Sequence, residues 1–280
     1  MKIKILSDST CDLPQSVLDE HNIHLFPLTI IKNSENFLDN VTITPDDIFS
    51  HVAAGGDLCT TAAGNAAEYQ AFFAKYANDY DGIIHINIGS SFSCSYQNAS
   101  IAAMEFDNVV TIDSQNLTCG QGLLVLKAVE LAQKCTSLSA LKTEIESYIP
   151  KIETSFVLEQ LKYMVKGGRC SSASALGANL LNLKPCIEIQ NGKMGVVKKY
   201  RGSFAKCLTN YIKDRLENRV DLDNSTIFVV YTPISDNDLM AVRDALSQYC
   251  NFDRIVECKA GCTVSCHCGP GTLGILFLNK

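Results

Sequence analysis

The chain of 280 residues has no apolar run that approaches the roughly 20 residues a membrane-spanning helix requires. Its opening stretch, MKIKILSDSTCDLP, holds too short an apolar run for a signal peptide and predicts a first strand instead. Positive charge is also scarce, because 24 lysines and arginines stand against 30 acidic residues and give a net charge of −6. That balance argues against a nucleic-acid partner, which needs a basic surface. These absences predict a cytoplasmic protein with no transmembrane segment.

Several sequence signatures of catalysis and metal binding are also missing. The chain contains no Walker A sequence, no G-x-S-x-G nucleophile elbow and no H-E-x-x-H. Four of its 13 cysteines lie close together around His267, namely Cys258, Cys262, Cys266 and Cys268. Their C-x3-C-x3-C-x-C spacing lacks the C-x2-C pairs typical of structural zinc, so no metal site is predicted. A redox or metal module built on these cysteines is a third hypothesis, which metal analysis of the reduced protein would test.

Strand and helix patterns alternate through the first half of the chain, and 46% hydrophobic residues suffice for a large core. This alternation predicts right-handed crossovers and a parallel sheet covered on both faces. Pro27 demotes the second strand towards a sheet edge, and Thr44 with Asp47 predicts a capped helix start. The expected strands cover residues 2–6, 26–31, 83–88 and 109–112, and the main helices cover 66–76, 96–104, 121–134 and 138–148.

The second half predicts a different kind of sheet. Pro150 marks a domain boundary, and Asn191-Gly192 between two apolar runs is a strong hairpin signal. Further elements are expected as helices over 204–216 and 238–249 and as strands over 227–231, 255–258 and 273–278. The fold class is therefore α/β with two domains. An N-terminal parallel-sheet domain, residues 1–150, packs on a C-terminal α/β domain with a mixed sheet, residues 151–280.

Two polar loops in the first domain are candidate anion sites, because ligands of parallel sheets bind at the carboxyl ends of the strands. The loop Gly89–Tyr96 offers four serines and the N–H groups of a helix N-terminus. Thr60 and Thr61 precede another helix and could act in the same way. The alternative for both segments is ordinary helix capping without a ligand.

Two glycine-containing segments stand out in the second domain. FVLEQLKYMVKGGR has apolar residues at helical spacing, which predicts an amphipathic helix that ends at Gly167. Gly168 then leaves Arg169 as a guanidinium fork for a carboxylate or phosphate, or simply as a solvated arginine after a cap. A segment of small residues follows over 171–183. Near the C-terminus, a rigid Gly-Pro-Gly turn places His267, and the formal G-x-G-x-x-G match there precedes a strand rather than a helix.

Taken together, these segments resemble the DegV family of bacterial fatty-acid-binding proteins, nearly end to end. The matching stretches are ILSDSTCDLP at 5–14, TTAA at 60–63, GSSFSCSYQNA at 89–99, IDSQNLTCGQG at 112–122, FVLEQLKYMVKGGR at 156–169 and HCGPGTLG at 267–274. The resemblance implies a non-catalytic carrier that binds one long-chain fatty acid in an apolar tunnel between two α/β domains. It also implies a separate fatty acid kinase as partner, and no cofactor apart from the bound lipid.

Carried over to this chain, the contacts of the fatty acid carboxylate are Thr60 or Thr61, Ser93, Arg169 and His267. Cys94 stands where the family usually has glycine, and alanines follow Thr61 in place of Gln-Pro, which leaves open which threonine is the ligand. The alternative function is an enzyme that acts on a small carboxylated or phosphorylated metabolite in the same cleft. In that case His267 would be an acid or base and Ser93 a nucleophile.

Overall fold

The computed structural model describes residues 1–175, 183–249 and 251–280, which divide into two compact units. Unit 1 comprises Met1–Ile152 together with Gly261–Val264, and unit 2 comprises Glu153–Ala260 together with Ser265–Lys280. The segment of small residues expected over 171–183 begins as a short helix, and its part 176–182 lies outside the described residues. Over the described ranges, no helix combines the length and the apolar character needed to cross a bilayer.

The described elements are numbered along the chain. The strands are β1 (Ile3–Asp8), β2 (His24–Phe26), β3 (Thr29–Lys32), β4 (Glu35–Leu38), β5 (Thr60–Ala62), β6 (Gly82–Asn87), β7 (Val109–Asp113), β8 (Ile152–Leu158), β9 (Leu183–Gln190), β10 (Lys193–Arg201), β11 (Leu222–Tyr231), β12 (Arg254–Lys259) and β13 (Thr272–Asn279). The helices are α1 (Gln15–Glu20), α2 (Pro45–Ala53), α3 (Ala66–Ala74), α4 (Ser95–Ala103), α5 (Thr118–Ala132), α6 (Leu138–Glu146), α7 (Lys162–Gly167), α8 (Ser171–Ser174), α9 (Phe204–Leu216), α10 (Asp236–Tyr249) and α11 (Cys262–Cys268).

Unit 1 is built around a parallel sheet in the order β2-β1-β6-β7. Every residue of β6 is buried, as expected for a central strand of a sheet that helices cover on both faces. The predicted capping box of α2 is present, since the Thr44 hydroxyl accepts the N–H of Asp47 and the Asp47 carboxylate accepts that of Thr44. The strand-helix alternation thus led to the correct sheet type.

The strand expected over 26–31 is split in two. Phe26 ends β2, which pairs with β1, whereas Thr29 begins β3 in a separate antiparallel sheet of order β4-β3-β5. Pro27 lies between them and has no N–H to continue a ladder of hydrogen bonds. Strand β5 of this small sheet carries two of the predicted ligand residues, Thr60 and Thr61.

Unit 2 contains a mixed sheet of order β10-β9-β8-β13-β11-β12. Strands β11 and β12 are parallel, while β9 is antiparallel to both β8 and β10. The hairpin predicted at Asn191-Gly192 is present, and its two turn residues have φ of 50° and 71°. Positive φ at both positions fits the two-residue turn that matches the twist of the flanking strands.

The helix expected over 156–167 is wrong in its first half. Residues Phe156–Leu158 belong to β8, and the helix α7 begins only at Lys162. Phe156, Val157 and Leu158 are 5%, 0% and 0% exposed, because β8 is an inner strand of the sheet. A short apolar run that is buried on both faces fits a strand as well as a helix, so its spacing could not distinguish the two.

Helix α11 was not predicted, and its first residues dock into unit 1 through two buried aspartates. The N–H of Gly261 donates to Asp12 Oδ1 at 3.0 Å, and the N–H of Cys262 donates to Asp39 Oδ1 at 2.9 Å. The Thr263 hydroxyl donates to Asp39 Oδ2 at 2.7 Å. A β-carbon on Gly261 would lie only 2.6 Å from Asp12 Oδ1, so glycine is required for this close approach.

Candidate functional site

The serine loop, residues 88–95, runs from the end of β6 to the first residue of α4 and is held by side-chain hydrogen bonds. The N–H and Oγ of Ser90 donate to the Asp113 carboxylate at 3.0 and 2.5 Å. Ser93 Oγ accepts the N–H of Ser95 at 3.2 Å and lies 2.9 Å from Ser95 Oγ. Ser93, half-buried, therefore stands at the N-terminus of α4, where backbone N–H groups and the helix dipole favour an anion.

Beneath this loop lies a buried polar network centred on Asp8. Its carboxylate accepts hydrogen bonds from the Tyr69 hydroxyl at 2.7 Å, from Asn87 Nδ2 at 3.1 and 3.2 Å and from the Ile88 N–H at 2.9 Å, and lies 3.1 Å from His85 Nε2. The four side chains are completely buried. Sequence reasoning missed this network, although His85 and Asn87 interrupt the apolar residues of β6 and were the available signal.

The two threonines of β5 face opposite sides of the small sheet. Thr61 is the cross-strand partner of Ile30, and Thr60 is the partner of Ile31. Direct partners in an antiparallel pair project to the same face, so Thr61 shares the face of the fully buried Ile30, while Thr60 is exposed. Neither threonine caps α3, because Asn65 does so.

In unit 2, the double glycine after α7 combines two different requirements. Gly168 has φ of 68° and terminates the helix in the left-handed conformation, with nothing within 4 Å of a β-carbon built on it. A β-carbon on Gly167 would instead overlap Nδ1 of His267. One glycine is therefore needed for backbone conformation and the other for the close approach of the histidine ring.

The Gly-Pro-Gly turn packs against the residues that precede the double glycine. Gly269 and Gly271 have φ of 72° and 75°, which favours glycine at both positions. A β-carbon on Gly269 would overlap the ring of Tyr163, and one on Gly271 would lie 2.7 Å from Cβ of Glu159. The Glu159 N–H donates to the Gly271 carbonyl at 2.7 Å. Two motifs about 100 residues apart in sequence thus form one structure.

This arrangement brings Arg169 and His267 into one electrostatic environment. Burial, with a further contribution from the positive charge of Arg169, lowers the pKa of His267 to about 4. The imidazole is therefore neutral at pH 7. Arg169 is exposed, and its Nη1 donates to the Gly167 carbonyl at 2.7 Å. A neutral ring beside a guanidinium can donate to a carboxylate without burying a second positive charge.

The predicted ligand residues are thus distributed over both units. Arg169 and His267 lie together in unit 2, whereas Thr61 and Ser93 belong to unit 1. Within unit 1, Asn98 of α4 donates to the Gly64 carbonyl at 2.8 Å and so links the helix after the serine loop to the residues after β5. The roles of these side chains toward a ligand stay predictions.

The four clustered cysteines lie in the packed interior of the protein. Cys258, Cys262, Cys266 and Cys268 are all buried. Burial raises the pKa of the Cys262 thiol, with a further contribution from Asp39, and its Sγ donates to the Ile43 carbonyl at 3.2 Å. Among the described residues, no group of three or more histidine, cysteine, aspartate or glutamate side chains is arranged to hold a metal ion.

Comparisons with known proteins agree with this architecture. The family model described as "Uncharacterised protein, DegV family" matches residues 2–280. A DegV domain-containing protein from Clostridium acetobutylicum is 33% identical over 283 residues, covering 100% of this chain and 99% of its own. A structure described as fatty acid binding of a DegV family protein from Thermus thermophilus is 26% identical, with a TM-score of 0.89 and complete coverage of both chains.

A third protein shares the fold at lower identity. It is a stearic acid-binding protein from Eubacterium ventriosum, 23% identical, with a TM-score of 0.84 over 99% of this chain and 98% of its own. The expected α/β fold, with a parallel sheet in the first half and a mixed sheet in the second, is confirmed by these likenesses.

Proposed function

Because this chain belongs to the DegV family, we propose that it binds a long-chain fatty acid and holds the carboxylate with Thr61, Ser93, Arg169 and His267. The relative from Thermus thermophilus is described as fatty acid binding, and it resembles this chain over its full length. In this proposal the protein is a non-catalytic carrier, and the lipid is its ligand rather than a substrate that it converts.

The observation that carries the proposal is the packing of His267 against the double glycine before Arg169. The missing side chain of Gly167 lets the imidazole approach, and Arg169 follows two residues later. Both side chains donate hydrogen bonds at pH 7, and the guanidinium supplies the positive charge. A neutral donor beside a permanent cation suits a single carboxylate better than it suits a dianionic phosphate.

Unit 1 is proposed to contribute hydroxyl groups. Ser93 stands at the N-terminus of α4, where the helix favours negative charge. Thr61, rather than Thr60, is the threonine of choice because it lies on the buried face of its sheet with Ile30.

The affinity is proposed to come from the tail. Burial of a methylene yields about 0.8 kcal/mol, so a tail of about 14 methylenes contributes roughly 11 kcal/mol before the costs of ordering. The polar residues then orient the carboxylate. We extend the proposal to a carrier that presents this carboxylate to a separate fatty acid kinase, and this extension rests on the family resemblance alone.

The direct test is to extract the purified, folded protein with organic solvent and identify the released lipid by mass spectrometry. We expect about one long-chain fatty acid per chain, and we expect delipidated protein to take up palmitate. Recovery of no more than the solvent blank, from protein that also fails to bind added palmitate, would refute the proposal.

The carboxylate contacts are tested by Arg169→Gln, with Arg243→Gln as the matched control. Arg243 is an exposed arginine of unit 2 whose guanidinium pairs with Glu257. We expect Arg169→Gln to weaken palmitate binding about tenfold or more, since hydrogen bonds to charged groups contribute about 1.5–3 kcal/mol. The control should bind as the wild type does. Equal affinities for all three proteins would contradict the assignment of Arg169.

A further inference from the structure

The buried network under the serine loop has no part in the proposed function so far. Asp8 is completely buried, and a carboxylate only accepts hydrogen bonds. It has donors from a strand, a helix and the loop itself, namely His85, Tyr69 and the Ile88 N–H. A carboxyl group that is buried so completely is held in place by the groups that bond to it.

One partner of Asp8 is a histidine in an aromatic environment. His85 directs Nε2 at Asp8, and its Nδ1 has no hydrogen-bond partner among the described residues. The rings of Tyr69, Phe72 and Phe73 surround the imidazole at centroid distances of 5.4, 6.1 and 5.3 Å. This aromatic packing fixes the orientation of the imidazole that directs Nε2 at Asp8.

The donors of Asp8 control both ends of the serine loop. At the start of the loop, the Ile88 N–H donates to Asp8 Oδ2 at 2.9 Å. The Tyr69 hydroxyl donates to Asp8, and its oxygen accepts a hydrogen bond from the buried side chain of Ser95. Burial raises the pKa of Tyr69 most strongly, and a hydrogen bond from Ser95 lowers it in part. Ser95 Oγ in turn lies 2.9 Å from Ser93 Oγ.

We propose that Asp8 and Tyr69 are positioning residues for the ligand carboxylate, because they fix the serine loop in the conformation that presents the Ser93 hydroxyl. The inference rests on the proposed function and names residues that act through Ser95 and Ser93 without touching the ligand. Small displacements of a hydrogen-bonding group weaken its bond steeply, so a loop that contacts a charged group benefits from such an anchor.

The test compares two ligands with the same tail, palmitate and hexadecanol, in wild type and Tyr69→Phe. The substitution removes the hydroxyl and keeps the ring that stacks on Phe26. We expect it to weaken palmitate binding about tenfold, the effect of one hydrogen bond to a charged group. Hexadecanol lacks the carboxylate, so its affinity should change less than twofold.

Tyr211→Phe is the matched control. Tyr211 is a fully buried tyrosine of unit 2 whose hydroxyl bonds to Ser155 and to the Ile275 N–H. Its loss should leave the ratio of the two affinities unchanged. If Tyr69→Phe does not fold, Ser95→Ala removes the next hydroxyl of the same path and should lower the same ratio.

The outcomes separate the two proposals. The positioning role would be overturned if Tyr69→Phe and Ser95→Ala both fold and both keep the wild-type ratio of palmitate to hexadecanol affinity. Fatty acid binding would then remain intact. An equal loss for both ligands would also overturn it, because that result indicates a general structural effect. Failure of the wild type to bind either ligand would overturn the proposed function and this inference with it.

Discussion

Substitution of the two adjacent glycines separately should have different effects on His267. In Gly167→Ala, the new β-carbon would lie closer to Nδ1 of His267 than the 3.0 Å below which real β-carbons are essentially never found. The imidazole must move by about 1 Å to restore an ordinary van der Waals contact. In Gly168→Ala, no atom lies within 4 Å of the β-carbon, but φ of 68° is unfavourable for alanine.

The expected magnitudes follow from the causes of each effect. Burial and the charge of Arg169 hold the pKa of His267 at about 4, against an ordinary value of 6.5. A displaced ring regains water, so we expect its pKa in Gly167→Ala to rise by about one or more. Gly168→Ala should leave that pKa unchanged and lower the free energy of unfolding by about 1–2 kcal/mol, the cost of the left-handed conformation.

The assay is a pH titration of the histidine ring resonances by NMR, with His267→Gln to assign the signal. A linked effect on stability has a defined sign. Because the folded pKa lies below the unfolded one, the unfolded chain binds the proton first, and stability falls as the pH drops from about 6.5 to 4. The titration of His267 should lower the free energy of unfolding of the wild type by about 2 kcal/mol at pH 5 relative to pH 7. An identical His267 pKa in wild type and Gly167→Ala would refute the reasoning.

Two further predictions concern the docking of residues 261–263 in unit 1. Gly261→Ala would bring a β-carbon within 2.6 Å of Asp12 Oδ1 and 2.8 Å of Asn40 Nδ2. We therefore expect the free energy of unfolding, measured with urea, to fall by about 1–3 kcal/mol. An unchanged urea midpoint would contradict this. Burial, with a further contribution from the charge of Asp39, raises the pKa of Asp12 to about 8. The folded chain therefore holds this proton more tightly than the unfolded chain does, and the free energy of unfolding falls as the pH rises from about 4 to 8. Asp12→Asn should flatten that decline in thermal unfolding across the same pH range, and parallel declines would show that Asp12 is not its source.

Hydrophobic periodicity predicted much of the fold, because long patterned segments such as α9 and the strand-helix alternation of unit 1 depend on local sequence. The predicted helix Phe204–Leu216 is present with the same bounds. The wrong or missing predictions concern segments whose secondary structure depends on contacts with residues distant in sequence. Phe156–Leu158 became a strand because neighbouring strands on both sides pair with it or pack beside it, which the helical spacing of its apolar residues could not show. The cysteines at i and i+4, Cys262 and Cys266, were the unused signal for α11.

The same distinction between local and distant features applies to the candidate site. Glycine placement drew attention to Arg169 and His267, since a double glycine and a Gly-Pro-Gly turn are local features with a physical meaning. Their role as ligand residues stays a prediction. The approach of the His267 ring to Gly167 joins segments about 100 residues apart, and the sequence analysis did not predict it. The family resemblance implied only that Arg169 and His267 contact the same carboxylate. The Asp8 network was invisible for the same reason, because Tyr69 and His85 have no sequence relation to Asp8.

The discontinuity of unit 1 has a consequence for biosynthesis. The ribosome completes Met1–Ile152 before it adds the 108 residues from Glu153 to Ala260, and only then Gly261–Val264. At about 5–20 residues per second, the nascent N-terminal unit waits roughly 5–20 s for the donors of Asp12 and Asp39. Until then Asp12 and Asp39 have the hydroxyls of Thr118 and Ser9 as donors but lack those of residues 261–263, and the unit stays incompletely packed. A gene fragment that stops at residue 152 would make this interim state permanent, so no single truncation point yields a complete N-terminal unit.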